Sequence, residues 1–315
     1  MRDAFAREMT SLAAERTDVT LLSGDIGNRM FDRFKQVAPE RFLNCGIAEA
    51  NMMSLAAGMA LSGLRPVIYT ITPFTTTRCL EQIRVGVAYH QAPVVIVGTG
   101  SGLSYAELGP THHSLEDMAI LRTLPGLNVV APADSAELVA QLREALDAPY
   151  PTYMRIGKKG EPALHGEGAR LGIGKANLLR DGSDLLVVGV GPILREALQA
   201  AEAVAPKGIS VAVASLGGVK PLDEPFLAAM AERFPHWLSL EEHGIIGGLG
   251  SALLEWLAER DGSPIRMKRL GVPDAFLHEL GNQAYTRRQL GLNAAGLAQT
   301  FRQQAVVAQH NANRA

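Results

Sequence analysis

Residues 66–100, PVIYTITPFTTTRCLEQIRVGVAYHQAPVVIVGTG, contain the clearest structural pattern in the chain. Two short apolar runs, at 66–71 and 93–100, lie on either side of a helical pattern at 78–90. A nearly continuous apolar strand is typical of a parallel sheet that is covered on both faces. Parallel neighbours also need a crossover connection, which is usually a helix. The segment therefore predicts a β–α–β unit of an α/β domain.

The same alternation continues in both directions from this unit. The other predicted strands are 19–25, 127–133, 151–157, 184–191, 210–216, 236–242 and 265–272. The other predicted helices are 47–63, 135–146, 192–205, 223–234 and 246–260. A turn-rich stretch at 158–175 interrupts the pattern and is typical of a linker or an edge hairpin.

The length of the chain, 315 residues, exceeds the usual size of a single domain. We therefore predict an α/β fold with two doubly wound domains and mainly parallel sheets. The first domain is placed at residues 1–165, the linker at 166–183 and the second domain at 184–315.

The composition argues against several classes of partner. A formal net charge of −2 does not favour nucleic acid or acidic membranes, which need a strongly positive surface. No apolar run reaches the roughly 20 residues of a membrane span, and the charged N-terminal helix is no signal peptide. Cys45 and Cys79 show no metal-ligand spacing. We therefore expect a soluble, cytoplasmic protein without a metal site of its own.

Glu49 stands in the first turn of the helix predicted at 47–63, which is apolar on nearly every face. A carboxylate in this position complements the helix dipole, which is worth about a few tenths of a kcal/mol. The alternative is a ligand-binding residue, because a carboxylate at the mouth of a buried helix otherwise needs a compensating partner. The position alone leaves both interpretations open.

The loop after the strand at 93–100 leads into GPTHHSLED, residues 109–117. Ligands of open α/β sheets bind at the carboxyl ends of parallel strands, which is where this loop begins. His112 and His113 lie just before a predicted helix, and adjacent histidines in a loop are often only solvated. The alternative is a histidine that donates a proton or binds substrate.

An arginine and a glycine motif complete the candidates. Arg155 stands near the end of the strand at 151–157, beside Lys158, where it is either solvated or binds phosphate or sulfonate through its fork of donors. The GVG at 189–191 lacks the third glycine of a dinucleotide fingerprint and the acidic residue at the following strand end. We therefore do not expect a dinucleotide-binding site.

Three motifs in order resemble the transketolase family. They are GIAEANMMSLAAGMALSGLRPVIYT (46–70), F-x-x-x-R-x-x-E-Q-I-R (74–84) and GPTHHSLEDMAILRTLPGLNVVAPAD (109–134). LEEHGIIGGLGSA (240–252) resembles the transketolase C-terminal domain. The chain is most similar to the C-terminal subunits of split bacterial transketolases. This resemblance implies thiamine diphosphate as cofactor and transfer of a two-carbon ketol unit from ketose donors to aldose acceptors.

The resemblance also implies functions for individual residues. Glu49 matches the catalytic glutamate that contacts N1′ of the cofactor's aminopyrimidine, and Phe74 matches an aromatic residue that packs against this ring. Asp25 matches an acidic residue at the same edge of the active site. His112 resembles a catalytic histidine that contacts substrate, and Arg155 resembles an arginine that binds the acceptor's terminal phosphate.

Five positions depart from the family pattern. Ile71, which we assign to the cofactor site, and Thr77 stand where full-length transketolases carry further aromatic residues. Gly100 replaces a histidine that touches sugar hydroxyls, and Leu108 replaces an aspartate that binds the hydroxyl next to the donor carbonyl. Arg29 falls near a serine at the phosphate end. We assign these last three residues to the substrate site and expect a deoxygenated, branched or sulfonated sugar. Restoring histidine at 100 and aspartate at 108 should then raise activity on ordinary sugar phosphates.

The family binds Mg²⁺ and the diphosphate through a G-D-G…N motif, which this sequence lacks. The resemblance therefore implies a second subunit that carries this motif and holds most of the Mg²⁺ site. It also implies an α2β2 assembly with active sites at subunit interfaces. The helical segments 47–63 and 78–90 are candidate interface elements, although core packing explains their small apolar side chains equally well.

Three alternatives stay open. The β subunit of a 2-oxo-acid dehydrogenase shares the domain arrangement and the buried glutamate, but its loop is closer to GPQHS. A 1-deoxyxylulose-5-phosphate synthase is normally a single longer chain. A catalytically silent partner subunit would keep the fold; Glu49, Phe74 and His112 speak against it, whereas Gly100 and Leu108 leave it open.

Overall fold

Two β-sheets organise the chain. The computed structural model describes residues 1–158, 160–260, 265–279 and 281–312. In the first part of the chain the strands are β1 (Val19–Ser23), β2 (Phe42–Asn44), β3 (Arg65–Ile71), β4 (Val95–Thr99), β5 (Asn128–Val130) and β6 (Thr152–Ile156). In the second part they are β7 (Asn177–Arg180), β8 (Leu185–Gly189), β9 (Val211–Ser215), β10 (Gly218–Lys220), β11 (His236–Gly244) and β12 (Arg266–Val272).

The helices lie between these strands. In the first part they are α1 (Arg2–Glu15), α2 (Asp32–Val37), α3 (Glu49–Leu61), α4 (Thr72–Thr75), α5 (Asp117–Arg122) and α6 (Ser135–Asp147), together with a π-helix at Gln82–Tyr89. In the second part they are α7 (Leu194–Val204), α8 (Glu224–Arg233), α9 (Leu249–Ala258), α10 (Gln283–Gln289) and α11 (Ala294–Ala312). In the part of the chain that the structure describes, no helix is long and apolar enough to cross a membrane.

The strand orders are β10-β5-β6-β4-β3-β1-β2 in the first sheet and β12-β11-β8-β9-β7 in the second. Every pairing is parallel except β10 with β5 and β7 with β9. All five residues of β1, β4 and β6 are buried, because helices cover both faces of the sheet. The prediction of two α/β domains with mainly parallel sheets is confirmed.

Three short strands were absent from the sequence prediction. β2, β7 and β10 have only three or four residues each, which is too short for a clear pattern of burial. β7 lies inside the segment 166–183 that was expected to be a linker, where it forms an antiparallel edge of the second sheet. β10 belongs to the second half of the chain in sequence, but it pairs antiparallel with β5 and forms an edge strand of the first sheet.

The helix expected at 78–90 is largely a π-helix, preceded by a 3₁₀ turn at Thr77–Cys79. It packs on α3 through small residues: a Cβ built on Gly86 would lie 3.5 Å from the Cβ of Ala57. Such side chains allow the two helices to approach closely. We find no physical reason in the sequence for the wider helical turn.

The two halves of the molecule share their hydrophobic cores. One buried cluster joins Met52 and Ile83 of the first half to Val188 and Leu249 of the second. Another cluster places Leu103 and Ala106, from the loop after β4, among the apolar side chains of the second half. The loop after β4 is therefore packed as part of the second domain's core.

Candidate active site

The carboxyl ends of the parallel strands β1, β2, β3, β4 and β6 meet at one edge of the first sheet. The predicted site residues follow these strands: Asp25 follows β1, Glu49 follows β2, Phe74 follows β3 and His112 lies in the loop after β4. This edge is the ligand-binding position of open α/β sheets. The backbone N–H of Asp25 donates to the carbonyl of Gly46 (3.1 Å) and ties the loops after β1 and β2 together.

Glu49 is the first residue of α3 and its side chain is buried, with 5 % of the residue exposed. Its Oε2 accepts a hydrogen bond from Nη1 of Arg78 at 2.9 Å. The N-terminal end of a helix favours a negative charge, so α3 supports the carboxylate as well. The side chain of Arg78 is 45 % exposed. Glu49 is thus a buried carboxylate whose arginine partner reaches in from solvent.

Phe74 lies in α4, the short helix that directly follows Ile71 at the end of β3. Thr72 fixes this turn, because its Oγ1 donates to the carbonyl of Thr99 at 3.1 Å. The guanidinium carbon of Arg78 lies 4.0 Å from the centroid of the Phe74 ring, within the range of a cation–π contact. Arg78 therefore covers the ring of Phe74 and binds Glu49 at the same time.

His112 continues the site on the other side of Phe74. The two rings meet edge to face with centroids 5.3 Å apart, and His112 Nδ1 lies 2.9 Å from Oγ1 of Thr111. Partial burial, and then the charges of His113 and Arg78, lower the pKa of His112 below its ordinary value of 6.5. A lowered histidine pKa means that the ring is neutral near pH 7. A neutral imidazole can both donate and accept a hydrogen bond.

Tyr105 occupies the space beside Gly100. A Cβ built on Gly100, whose φ is +80°, would overlap the Tyr105 ring at Cε2 and Cδ2. The ring of Tyr105 also lies 6.1 Å from that of His112, and Nζ of Lys158 lies 4.3 Å from its centroid. A histidine at position 100 would need both a strained backbone and a displaced tyrosine. The expectation that histidine can be restored there therefore has to include a change of Tyr105.

These side chains form a continuous row along the sheet edge, which we call the active-site row. Its members in spatial order are Glu49, Arg78, Phe74, His112, Tyr105 and Lys158. The row has a carboxylate at one end, aromatic rings in the middle and a partly exposed ammonium group at the other end. Such a row can bind a flat polar ring at one end and an anionic group at the other.

Other predicted residues lie beside the row. Ile71 is buried just before α4, whereas Thr77 is exposed after it. Leu108 is 49 % exposed in the turn Ala106–Leu108 of the same loop as His112. Arg29 is exposed in the turn Asn28–Phe31 after β1. Ile71 ends β3, and the other three residues lie on segments that follow β1, β3 and β4 at the same edge of the sheet.

The structure places Arg155 in the interior. Its side chain is 2 % exposed, and its Nε donates to Oδ2 of Asp117 at 2.8 Å. Its Nη2 donates to the carbonyls of Ser114 (2.6 Å) and Glu242 (2.8 Å). An arginine with these internal partners joins the two domains. This geometry gives no support to the prediction that Arg155 binds a substrate phosphate. Lys158, at the end of the row that carries Tyr105, is a partly exposed cation that could bind an anionic group instead.

Sequence reasoning assigned no function to Arg78, Tyr105 or Lys158. Arg78 is the arginine of the F-x-x-x-R motif, so its spacing from Phe74 was a usable signal. Tyr105 gave no signal, because its contact with Gly100 depends on the loop geometry. Cys79 stays protonated at neutral pH, because burial raises the pKa of its thiol to about 12. Within the described residues, no group of three or more His, Cys, Asp or Glu side chains could hold a metal ion.

Comparison with known families identifies both halves of the chain. Residues 1–161 match the family described as "Transketolase, pyrimidine binding domain". Residues 174–297 match "Transketolase, C-terminal domain". The first match alone covers more than half of the chain and contains every member of the active-site row.

Among curated proteins, a subunit of the apulose-4-phosphate transketolase of Phocaeicola vulgatus is 34 % identical over 301 residues, covering 95 % of each chain. A 6-deoxy-6-sulfo-D-fructose transketolase subunit of Clostridium sp. (strain MSTE9) is 35 % identical over 295 residues, covering 93 % of this chain and 91 % of that protein. A 1-deoxy-D-xylulose-5-phosphate synthase of Geobacter sulfurreducens is 36 % identical, but the match spans only 45 % of its length.

Among solved structures, an inactive β4 tetramer of a split-gene transketolase matches with a TM-score of 0.88 and 31 % identity over 98 % of both chains. Transketolase from Leishmania mexicana shares the fold, with a TM-score of 0.80, 21 % identity and 45 % of its own length covered. The similarity to split subunits thus extends over whole chains, whereas single-chain enzymes match over about half. The chain therefore belongs to the transketolase family and carries its pyrimidine-binding and C-terminal domains.

Proposed function

We propose that this chain, together with a second subunit, catalyses thiamine-diphosphate-dependent transfer of a two-carbon ketol unit from a ketose to an aldose. The observation that carries the proposal is the pair of Glu49 and Phe74: a buried carboxylate and an aromatic ring that contact the same arginine, Arg78, at the ligand-binding edge of a parallel sheet. The whole-chain similarity to subunits of split transketolases supports the same function.

The position of Arg78 tests whether these residues fit the cofactor's aminopyrimidine. A planar, N–H-donating guanidinium already lies on Phe74 and donates to Glu49. An aminopyrimidine is planar and can also offer a hydrogen bond to a carboxylate, so the two residues suit this ring once Arg78 has moved. We infer that Phe74 supports the ring and that Glu49 holds a proton at its N1′ atom. When bound, thiamine diphosphate supplies a carbon nucleophile and an electron sink for the ketose.

The remaining members of the row suit the substrate. His112 is neutral and can exchange hydrogen bonds with a sugar hydroxyl or carbonyl oxygen. Lys158 has a 30 % exposed side chain and is held over Tyr105 and 3.4 Å from Glu107. We propose that its ammonium binds the phosphate or sulfonate of the substrate, in place of Arg155. Tyr105 fills the space beside Gly100, where the family pattern has a histidine, and Leu108 of the same loop replaces an aspartate. Fewer polar groups at these positions favour a substrate with fewer or rearranged hydroxyls.

We propose that the partner subunit holds the diphosphate and Mg²⁺ through a G-D-G…N motif, and that the assembly is α2β2. Exposed apolar side chains on and next to α3 and the π-helix support an interface at this face. They are Ile47 (83 % exposed), Leu61 (59 %), Val85 (43 %) and Tyr89 (81 %). Large apolar side chains clustered at the surface are typical of a protein contact. This face adjoins Glu49, so a subunit bound there would border the active-site row.

The test is reconstitution with the companion that co-purifies with the chain from its native source. We expect that the chain alone is inactive with thiamine diphosphate and Mg²⁺, and that the mixture transfers a ketol unit from at least one donor to an aldose phosphate or sulfonate. Product formation is measured by mass spectrometry against ordinary, deoxygenated, branched and sulfonated sugars. Transfer by neither the chain nor the mixture with any donor would contradict the proposed activity.

Lys158→Met is expected to raise the KM of the anionic substrate by about 10- to 100-fold and to leave kcat nearly unchanged. The reason is that a charge-assisted hydrogen bond contributes about 1.5–3 kcal/mol to binding. Steady-state kinetics with a phosphorylated sugar and its unphosphorylated analogue measure the effect, which should vanish for the analogue.

Lys207→Met is the matched control, because Lys207 is an exposed lysine in the turn that follows the far end of α7. An unchanged KM in Lys158→Met would exclude Lys158 as the anion-binding group. The proposal of ketol transfer would not be affected by that result.

A further inference from the structure

Glu242 of the second domain holds the loop that carries His112. It lies in β11 and is 5 % exposed. Its Oε1 accepts hydrogen bonds from the backbone N–H of Leu103 (2.8 Å) and from Nε2 of Gln283 (2.7 Å). Its Oε2 accepts a hydrogen bond from Nε of Arg287. One carboxylate thus binds the active-site loop with one oxygen and is oriented by two side chains of α10.

The backbone next to Leu103 is shaped for this contact. Gly102 has a φ of +60°, and a Cβ built on it would lie 2.5 Å from both the carbonyl oxygen and Oε1 of Glu242. A side chain there would collide with β11, so the loop can come this close only with glycine. The close approach joins a backbone segment of the first domain directly to a strand of the second.

Residues 102 and 114 close the base of this loop. The backbone N–H of Ser114 donates to the carbonyl of Gly102 at 3.0 Å. Arg155 Nη2 donates to the carbonyls of both Ser114 and Glu242. The side chain of Glu242 therefore binds the base of the loop directly, at Leu103. The backbone carbonyl of Glu242 is linked to the base of the loop indirectly, because Arg155 donates both to it and to Ser114. Between the two ends lie Tyr105 and His112, two of the three members of the active-site row that we assign to the substrate.

We propose that Glu242 is a positioning residue for ketol transfer: it sets the place of His112 and Tyr105 by anchoring the base of their loop to the second domain. The inference rests on the proposed function for its kinetic part. It gives the second domain, which contributes no member of the active-site row, a defined part in the reaction. Glu49 and Phe74 lie outside the loop, so cofactor binding does not depend on Glu242.

The expected result is that Glu242→Ala lowers kcat of the assembled enzyme by about 10- to 100-fold, the effect of a reacting group displaced by about 1 Å. The Kd of thiamine diphosphate in the presence of Mg²⁺ should stay unchanged. Glu242→Gln keeps an oxygen for Leu103 but loses the charge that orients Arg287, so we expect an intermediate kcat. Gly102→Ala, a change in the other domain, should reproduce the Glu242→Ala kinetics.

Glu196→Gln is the matched control. Glu196 also accepts from Arg287, at 3.4 Å, and from the backbone N–H of Ala294 at 2.8 Å. Glu196→Gln removes one negative charge beside Arg287, as Glu242→Gln does, but Glu196 has no hydrogen bond to the loop. We therefore expect the wild-type kcat. Loss of kcat in this control to the same extent would assign the effect to general destabilisation and overturn the proposal.

Hydrogen exchange of the isolated chain gives a readout that does not need activity. In Glu242→Ala, amides of residues 103–113 should exchange faster, whereas those of α3 should not. Unchanged exchange in this loop, or faster exchange with wild-type kcat, would overturn the positioning function. If the wild-type assembly transferred no ketol unit, the proposed function would be contradicted. The exchange rates would still show whether Glu242 holds the loop.

Discussion

Replacing Glu49 with alanine is expected to lower kcat of the assembled enzyme by about 100-fold or more, the usual contribution of a positioned proton-transfer group. Glu49 is the buried carboxylate of the active-site row, it begins α3, and it shares the partner Arg78 with Phe74. Without it, no side chain of the row can accept a hydrogen bond from the cofactor's ring at that point. The measurement is single-turnover ketol transfer at saturating thiamine diphosphate.

Two further variants separate chemistry from packing. Glu49→Gln keeps the size of the side chain but loses its charge, so we expect a loss of similar order. Glu255→Gln also removes an arginine-paired carboxylate, the partner of Arg122, and should leave kcat unchanged because Glu255 is an exposed residue of α9. Full activity and unchanged assembly in Glu49→Ala would favour a silent scaffolding subunit over an enzyme.

Arg155→Met is expected to lower the free energy of unfolding of the isolated chain by about 3–5 kcal/mol, the usual cost of removing one partner from a buried ion pair. Asp117, itself 1 % exposed, would keep its charge without the arginine. The carbonyls of Ser114 and Glu242 would also lose their donor. Urea denaturation followed by circular dichroism measures the change.

The double variant Asp117→Asn with Arg155→Met should recover part of this loss, because it no longer leaves a buried charge unpaired. Arg84→Met is the control for the arginine side chain: Arg84 forms an exposed pair with Glu81, and its loss should have no measurable effect. A stable Arg155→Met protein with a raised KM for a phosphorylated acceptor would restore the substrate-binding interpretation of Arg155.

The sequence predicted the parts of the fold that depend on local pattern. Buried parallel strands such as β4 and β8 are continuous apolar runs, and their existence follows from that run alone. β10 could not be found in this way, because three residues carry no period and its pairing with β5 is a contact across the chain. The π-helical turn at Gln82–Tyr89 also lies outside what apolar spacing can indicate.

The residues of the candidate site also differ in whether a local sequence pattern identifies them. Glu49, Phe74 and His112 stand in recognisable motifs, and the structure brings them to one edge of the sheet. The ion-pair partner of Arg155 is Asp117, 38 residues away in the chain, so the residues next to Arg155 do not indicate which group it binds. The same holds for Gly100, where the missing side chain is explained by Tyr105. The sequence motifs identify which residues have suitable side chains for a site. They do not identify the distant residues that surround those side chains in the folded chain.

The placement of β10 bears on how the protein can be divided for study. A fragment that stops at the linker would keep β5 but lose the strand that covers its outer edge. It would also expose apolar residues such as Met118 and Leu121, which share a core with Leu216 and Val219 of the second half. Open strand edges beside apolar surface promote aggregation. Expression trials should therefore treat the two domains as one inseparable folding unit.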